Sequence, residues 1–251
     1  MKILVTGGAG FIGSNFIRYM LNKYDGYKIV NLDKLTYAGN LSNLRDVEKN
    51  KNYMFIKGDI CDNAIVENAM RDCYAVLNFA AETHVDRSII SAGRFVQTDV
   101  YGTYILLESA RHYNIKRFIQ ISSDEVYGSI DSGSFDEESK LNPRNPYSST
   151  KAGADMLALS FFNTYNLPVI ITRSTNNFGP YQHPEKLIPL FITNILEGKK
   201  VPLYGDGKNI RDWLTPLQQK HLLDAHAHGN KKIGSLFFNN ENFFLPHEFF
   251  D

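Results

Sequence analysis

Tyr147 and Lys151 stand four residues apart at the start of an expected helix, and Ser123-Asp124-Glu125 lies upstream at the end of an expected strand. A tyrosine hydroxyl titrates near ~10 in water, so a base at neutral pH needs a cation beside it, and i, i+4 spacing puts Lys151 on the same helix face. With Ser123 to orient a substrate hydroxyl, this set exchanges a proton with an alcohol. The neighbouring carboxylates add a second chemistry. Asp124 and Glu125 repel, so that one can hold a proton while the other is ionised, the division of labour needed to expel a hydroxyl and remove a carbon-bound proton. A solvated turn is the plainer account of the pair, but their place behind Ser123, where ligands bind parallel sheets, favours a site.

These residues need a scaffold, and the hydrophobic pattern supplies one. Lys2 to Thr6, Lys28 to Leu32, Tyr53 to Ile56, Ala75 to Phe79, Phe118 to Ser122 and Val169 to Thr172 are short apolar runs. Helical spacing over Phe11 to Asn22, Ala64 to Arg71, Val100 to Tyr113 and Ser149 to Tyr165 alternates with them. Continuous apolar strands separated by helices predict an α/β fold, a doubly wound parallel sheet. From about Asn176 the alternation fails, and Pro180, Pro184, Pro189 and Pro202 mark a smaller lobe over the strand ends. The expected division is residues 1–175 for cofactor and catalysis and 176–251 for the lobe. Phe237-Phe238, Phe243-Phe244 and Phe249-Phe250 in the tail fit neither helical nor strand period.

Gly7-Gly8-Ala9-Gly10-Phe11-Ile12-Gly13 directly follows the first strand and opens the first helix. That placement lets main-chain amides and a helix N-terminus approach a pyrophosphate, which identifies a dinucleotide loop. Asp33 ends the second strand, where a carboxylate accepts from ribose hydroxyls and repels a 2′-phosphate, favouring NAD over NADP. Lys34 beside it works the other way. Asp59-Ile60 suits an adenine edge, although an ordinary strand-end aspartate fits the pattern equally. Ala80 and Ala81 are small enough to lie against a cofactor, and Lys151 would hold its nicotinamide ribose.

Lys+Arg and Asp+Glu balance at 27 each, which gives no basic surface for nucleic acid. Cys61 and Cys73 have no metal-type spacing, so reduced thiols and a cytoplasmic location are expected. No apolar run is long enough to span a membrane, and Met1 leads straight into the first strand without a leader-like segment. His221, His226 and His228 have no second ligand cluster, and no metal is expected.

Taken together, the chain resembles the dTDP-glucose 4,6-dehydratases of the extended short-chain dehydrogenase/reductase family, with its Rossmann fold. The stretches Thr6–Asn15, Asn31–Asn40, Phe79–Ser88, Ser123–Gly128, Asn176–Tyr181, Pro184–Pro189 and Tyr204–Trp213 carry the resemblance. It implies a lyase working on a bound nucleotide sugar in deoxysugar biosynthesis. Tyr147 would take the C4 hydroxyl proton as NAD takes the C4 hydride, Glu125 the C5 proton, and Asp124 would protonate the departing C6 hydroxyl before the hydride returns to C6. Thr36 would join the cofactor site. Glu82, His84, Arg87, Asn176, Asn177, Lys186, Leu187, Pro202, Tyr204 and Arg211 would join Ser123 in holding the nucleotide sugar. A homodimer through the Val100 and Ser149 helices is also implied. Related epimerases and decarboxylases share the glycine loop and Tyr147/Lys151 but usually lack the full acidic pair, so Asp124 discriminates between them. Two departures stand out: Ser123 replaces a usual threonine, and beyond Trp213 the match decays and the chain stops short of the family's length. A shortened lobe, and with it an NAD-binding protein without activity, is the competing expectation.

Overall fold

A computed structural model describes residues 1–130, 132–203, 206 and 211–216, together with the backbone of Ser235–Phe238. Six expected strands form: β1 (Lys2–Thr6), β2 (Lys28–Asp33), β3 (Tyr53–Lys57), β4 (Ala75–Asn78), β5 (Arg117–Ser123) and β6 (Val169–Ser174). Their apolar runs are continuous because both faces are covered. Ile3 and Val5 enter one cluster with Ile29, Leu77 and Ile119, while Leu4 enters the opposite one with Val30, Val76 and Phe118. Helix α1 (Phe11–Lys23) seals the first face through Phe16, Ile17 and Met20. On the second face lie α2 (Asn63–Met70), α5 (Thr103–His112) and α6 (Pro146–Tyr165).

All sheet pairings are parallel, in the order β3-β2-β1-β4-β5-β6-β9, where β9 is Ser235–Phe238. Winding reverses between β1 and β4, which opens a crevice at the carboxyl ends of the strands. Strand β9 draws four residues of the expected lobe segment back into the main sheet. The backbone of the Phe237-Phe238 pair is part of this strand and is in register with Arg173 and Ser174 of β6. The other two Phe pairs and His221, His226 and His228 lie outside the described residues. Two short strands, β7 (Asn176–Asn177) and β8 (Trp213–Leu214), pair separately, and α7 (Leu187–Leu196) follows β7.

Two helix boundaries differ from expectation, each for a physical reason. The helical region expected from Val100 begins at Val85, as α3 (Val85–Ile90), α4 (Ala92–Phe95) and a π-helical turn over Val96–Gly102. Ile89 and Ile90 there are 67% and 86% exposed, so no buried stripe marks the segment in the sequence. Helix α6 starts before Ser149, because Asn145 caps it by accepting from Ser148 N at 2.8 Å and Pro146 occupies its first turn. No helix among the described residues is long and apolar enough to cross a membrane.

Candidate active site

The crevice holds a cavity of about 440 Å³. Gly7, Gly10, Phe11, Ile12 and Gly13 form its floor. Gly7 has φ +67°, and a Cβ there would lie 2.6 Å from Ala80 N; one on Gly13 would lie 2.6 Å from Gly7 O. Only glycine permits that approach. Gly10 caps α1 without a side-chain hydrogen bond, so no capping side chain occupies the first N–H groups of a helix that begins on the cavity wall. Ala9 N and Leu35 N donate to the two Asp33 oxygens at 2.9 and 2.8 Å, fixing the carboxylate at the cavity wall. Burial pushes the Asp33 pKa up against these hydrogen bonds. Lys34 Nζ sits 2.5 Å from Asp59 Oδ2, so the cation that complicated the cofactor reading is already paired. Thr36, Asp59, Ile60, Ala80 and Ala81 complete this end.

The other end is built where β5 runs into a 3-10 turn, Asp124–Tyr127. Ser123 Oγ caps the turn by accepting from Glu125 N at 3.2 Å and donates to Asp124 Oδ1 at 3.1 Å. Asn145, the cap of α6, donates through Nδ2 to Glu125 Oε2 at 3.3 Å, which ties the acidic turn to the helix bearing Tyr147 and Lys151. Burial, then the Glu125 charge, raises Asp124 to about 6. Ser123, Asp124, Glu125, Tyr147 and Lys151 all face the cavity.

Lys151, expected to favour the tyrosinate, donates through Nζ to Ile121 O at 2.6 Å. The Tyr147 pKa is raised, by burial and then by the charges of Glu125, Asp99 and Asp124, with the Ser123 hydroxyl opposing. Asp99, on the π-helical turn, was not foreseen from the sequence. Its carboxylate accepts from Glu82 N at 2.8 Å and Thr150 Oγ1 at 3.1 Å, and burial lifts it to about 7.

Residues expected to hold a sugar nucleotide divide into two groups. Glu82, His84, Asn176, Asn177, Lys186 and Leu187 line the cavity. His84 has φ +93°, a strained conformation for a side chain. Burial lowers the pKa of Lys186, whose Nζ reaches Thr83 Oγ1 at 3.1 Å. Arg87, Pro202 and Arg211 are not on its wall. Arg87 lies 3.9 Å above the Tyr37 ring and 3.0 Å from Glu185, so its fork is engaged at the rim. Pro202 lines an adjoining hollow of about 260 Å³ shared with His84, Lys186 and Leu187. Arg211 is exposed, yet its charge lowers the Asp124 pKa, and Tyr204 lies outside the described residues. Thr98, Thr175, Gln182 and His183 also line the cavity unforeseen, since they have no motif spacing, and so does Glu185, which lies inside the Pro184–Pro189 stretch but was given no role. Among the described residues no cluster of three His, Cys, Asp or Glu is placed to hold a metal ion.

The GDP-mannose 4,6 dehydratase family model matches residues 4–226. A dTDP-glucose 4,6-dehydratase of Streptomyces niveus is 53% identical over 218 residues, covering 85% of this chain and 65% of that protein. The low-salt glycan biosynthesis protein Agl12 of Haloferax volcanii is 55% identical over 214 residues, 85% of this chain and 69% of its own. The chain thus spans about two thirds of the length of these curated relatives. Among solved structures, DesIV, a dTDP-glucose 4,6-dehydratase from Streptomyces venezuelae with NAD and TYD bound, superposes with TM-score 0.91 at 46% identity, over 95% of this chain and 76% of that one. A UDP-glucuronic acid 4-epimerase from Bacillus cereus, in complex with UDP-glucuronic acid and NAD, gives 0.90 at 30% identity, over 95% and 77% of the two chains.

Proposed function

The chain belongs to the GDP-mannose 4,6 dehydratase family, and from that premise we propose that it is an NAD-dependent lyase that dehydrates dTDP-glucose to the 4-keto-6-deoxy sugar. The observation that carries this reading is the meeting of Asp124, raised to about 6, with Glu125 and Tyr147 in one cavity. Epimerization at C4 needs Tyr147 and the dinucleotide but no acid at C6, so the retained Asp124 favours dehydration over the epimerase reading.

The cavity fits the dinucleotide. The N–H groups at the start of α1, over the Gly7 and Gly13 approach that a Cβ would fill, would receive the pyrophosphate, and Asp33 the adenosine ribose. Lys151 would hold the second ribose. When bound, NAD supplies the redox capacity for C4 oxidation and C6 reduction. The positive charges of bound NAD and Lys151 would oppose the burial that raises the Tyr147 pKa. As the tyrosinate, Tyr147 would take the proton of the C4 hydroxyl, after which the 4-keto group acidifies C5. Glu125 takes the C5 proton, and Asp124, neutral below about pH 6, protonates the C6 hydroxyl as it leaves as water. Residues 1–175 carry these steps, and the segment from 176, with Asn176, Asn177 and Lys186, grips the nucleotide sugar.

We place the protein in the cytoplasm on its two free thiols, Cys61 and Cys73. A homodimer would bury Ile89, Ile90, Val96, Tyr101, Tyr104 and Met156, exposed apolar residues on or beside the helices expected to pair. Incubation with NAD and dTDP-glucose tests the activity through formation of the 4-keto-6-deoxy product. Bound NAD with no product and no calorimetric binding of dTDP would instead identify a dinucleotide-binding protein without turnover.

A further inference from the structure

Behind the reacting end lies a buried ion pair that touches neither cofactor nor substrate positions. Asp155 is 0% and Arg173 3% exposed, with Arg173 Nε 2.9 Å from Asp155 Oδ2. The same carboxylate oxygen accepts from Ser122 Oγ at 3.0 Å. Arg173 also donates through NH1 to Tyr127 Oη at 2.8 Å and lies 5.1 Å from the centroid of that ring. Tyr127 is fully buried, stacked on Phe135, and is the last residue of the turn that begins with Asp124 and Glu125.

The connectivity is specific. Asp155 belongs to α6, one turn beyond Lys151; Ser122 and Arg173 are register partners on β5 and β6; Tyr127 ends the acidic turn. One guanidinium therefore joins the helix that presents Tyr147 and Lys151 to the turn that presents Asp124 and Glu125. Stability alone does not account for it. A buried ion pair is commonly no more stable than apolar residues of the same shape. This one is also incompletely satisfied, for among the described residues Asp155 Oδ1 has no hydrogen-bond partner. What a rigid fork of donors provides, and apolar packing does not, is a fixed direction and spacing between the groups it joins.

We propose that Arg173 and Asp155 are positioning residues that set the acidic turn against α6, so that proton removal at the Tyr147 end and elimination at the Asp124/Glu125 end share one substrate pose. The catalytic half of this inference rests on the dehydratase reading; the structural half does not.

Tyr127→Phe is the sharpest test, because it deletes one oxygen and keeps the buried ring and its stacking. Amide hydrogen exchange is measured on the whole protein together with turnover of dTDP-glucose. The inference expects faster exchange at residues 125–128 with α6 unchanged, and product formation slowed about tenfold or more at unchanged KM. Because the turn carries the elimination groups, reduced cofactor should accumulate during turnover, seen in its near-ultraviolet absorbance. Arg173→Lys, which keeps the charge and loses the fork, should resemble Tyr127→Phe rather than wild type. Wild-type exchange at residues 125–128 in Tyr127→Phe would overturn the inference whatever happens to the rate. A wild-type protein that makes no product refutes the dehydratase reading instead, and the exchange comparison still decides whether the pair positions the turn.

Discussion

Ser123 donates its hydroxyl to Asp124 Oδ1 at 3.1 Å, so the group expected to orient a substrate also steadies the acid. Burial and the Glu125 charge raise Asp124 to about 6, and the Ser123 hydrogen bond works against them. An acid must be protonated to act, so the elimination step should slow as pH rises through about 6. Removing a bond that stabilises the carboxylate raises its pKa further, so Ser123→Ala should move this limb to higher pH. Single-turnover elimination measured against pH checks the sign. Asp124→Asn should slow elimination by about 10²- to 10⁴-fold and remove the limb while C4 oxidation persists.

Tyr147 should stay a phenol in the protein without cofactor, since burial and three carboxylates oppose its ionisation. An ultraviolet difference titration of wild type against Tyr147→Phe should show no additional tyrosinate up to about pH 10, where a free tyrosine is half ionised. The Phe variant should keep NAD affinity within about twofold and lose about 10²- to 10⁴-fold in turnover. A tyrosinate signal near neutrality would contradict the arrangement of charges.

Cofactor choice should depend on the Lys34–Asp59 pair as well as on Asp33. While Asp59 holds Lys34 at 2.5 Å, the cation is compensated. Asp59→Asn should free it and tighten NADP binding by about threefold to tenfold, with NAD changed less, because an exposed pair of this kind is worth up to about 1 kcal/mol. Calorimetric titration of both dinucleotides checks this.

Asp99 should weaken the fold at neutral pH. Its carboxyl has a folded pKa of about 7 against an ordinary value of 3.8, so the folded state binds the extra proton. The destabilisation is absent below about pH 4, grows up to about pH 7 and is constant above. Asp99→Asn should therefore stabilise the protein by on the order of 1 to 2 kcal/mol at about pH 8 and by little at about pH 4. Its amide can donate to Thr150 Oγ1, whose one proton, shared in the wild type between Asp99 Oδ2 at 3.1 Å and Tyr147 O at 2.8 Å, would then go to Tyr147 O alone. Thermal melts at the two pH values test the trend.

What the sequence made legible was set by local patterning. Strands such as β1 and β6 are buried on both faces and read as unbroken apolar runs, and Gly7 to Gly13 needs only its neighbours to be interpreted. Tyr147 and Lys151 were found by helical spacing, although the Asn145-Pro146 start three residues earlier was missed in favour of Ser149. Asp99 escaped because it lies on a π-helical turn whose outer side chains carry no amphipathic stripe. The pairing of Lys34 with Asp59, and of Arg87 with Glu185 across 98 residues, depends on the folded arrangement of loops. So does the charge environment of Tyr147, where burial and the charges of Glu125, Asp99 and Asp124 meet.

Because the sheet grows outward from β1, order along the chain also becomes order in time during synthesis. Gly7, Asp33, Asp59 and Ala80 all precede residue 82, on β1 to β4 and their loops. The reacting end waits for residues 98 to 151, and among the described residues the cavity wall is not complete until Trp213. A ribosome delivering the chain from its N-terminus therefore releases β1 to β4 with the glycine loop well before the residues of the reacting end. Assembly is thereby staged, the dinucleotide platform preceding the reactive groups built over it.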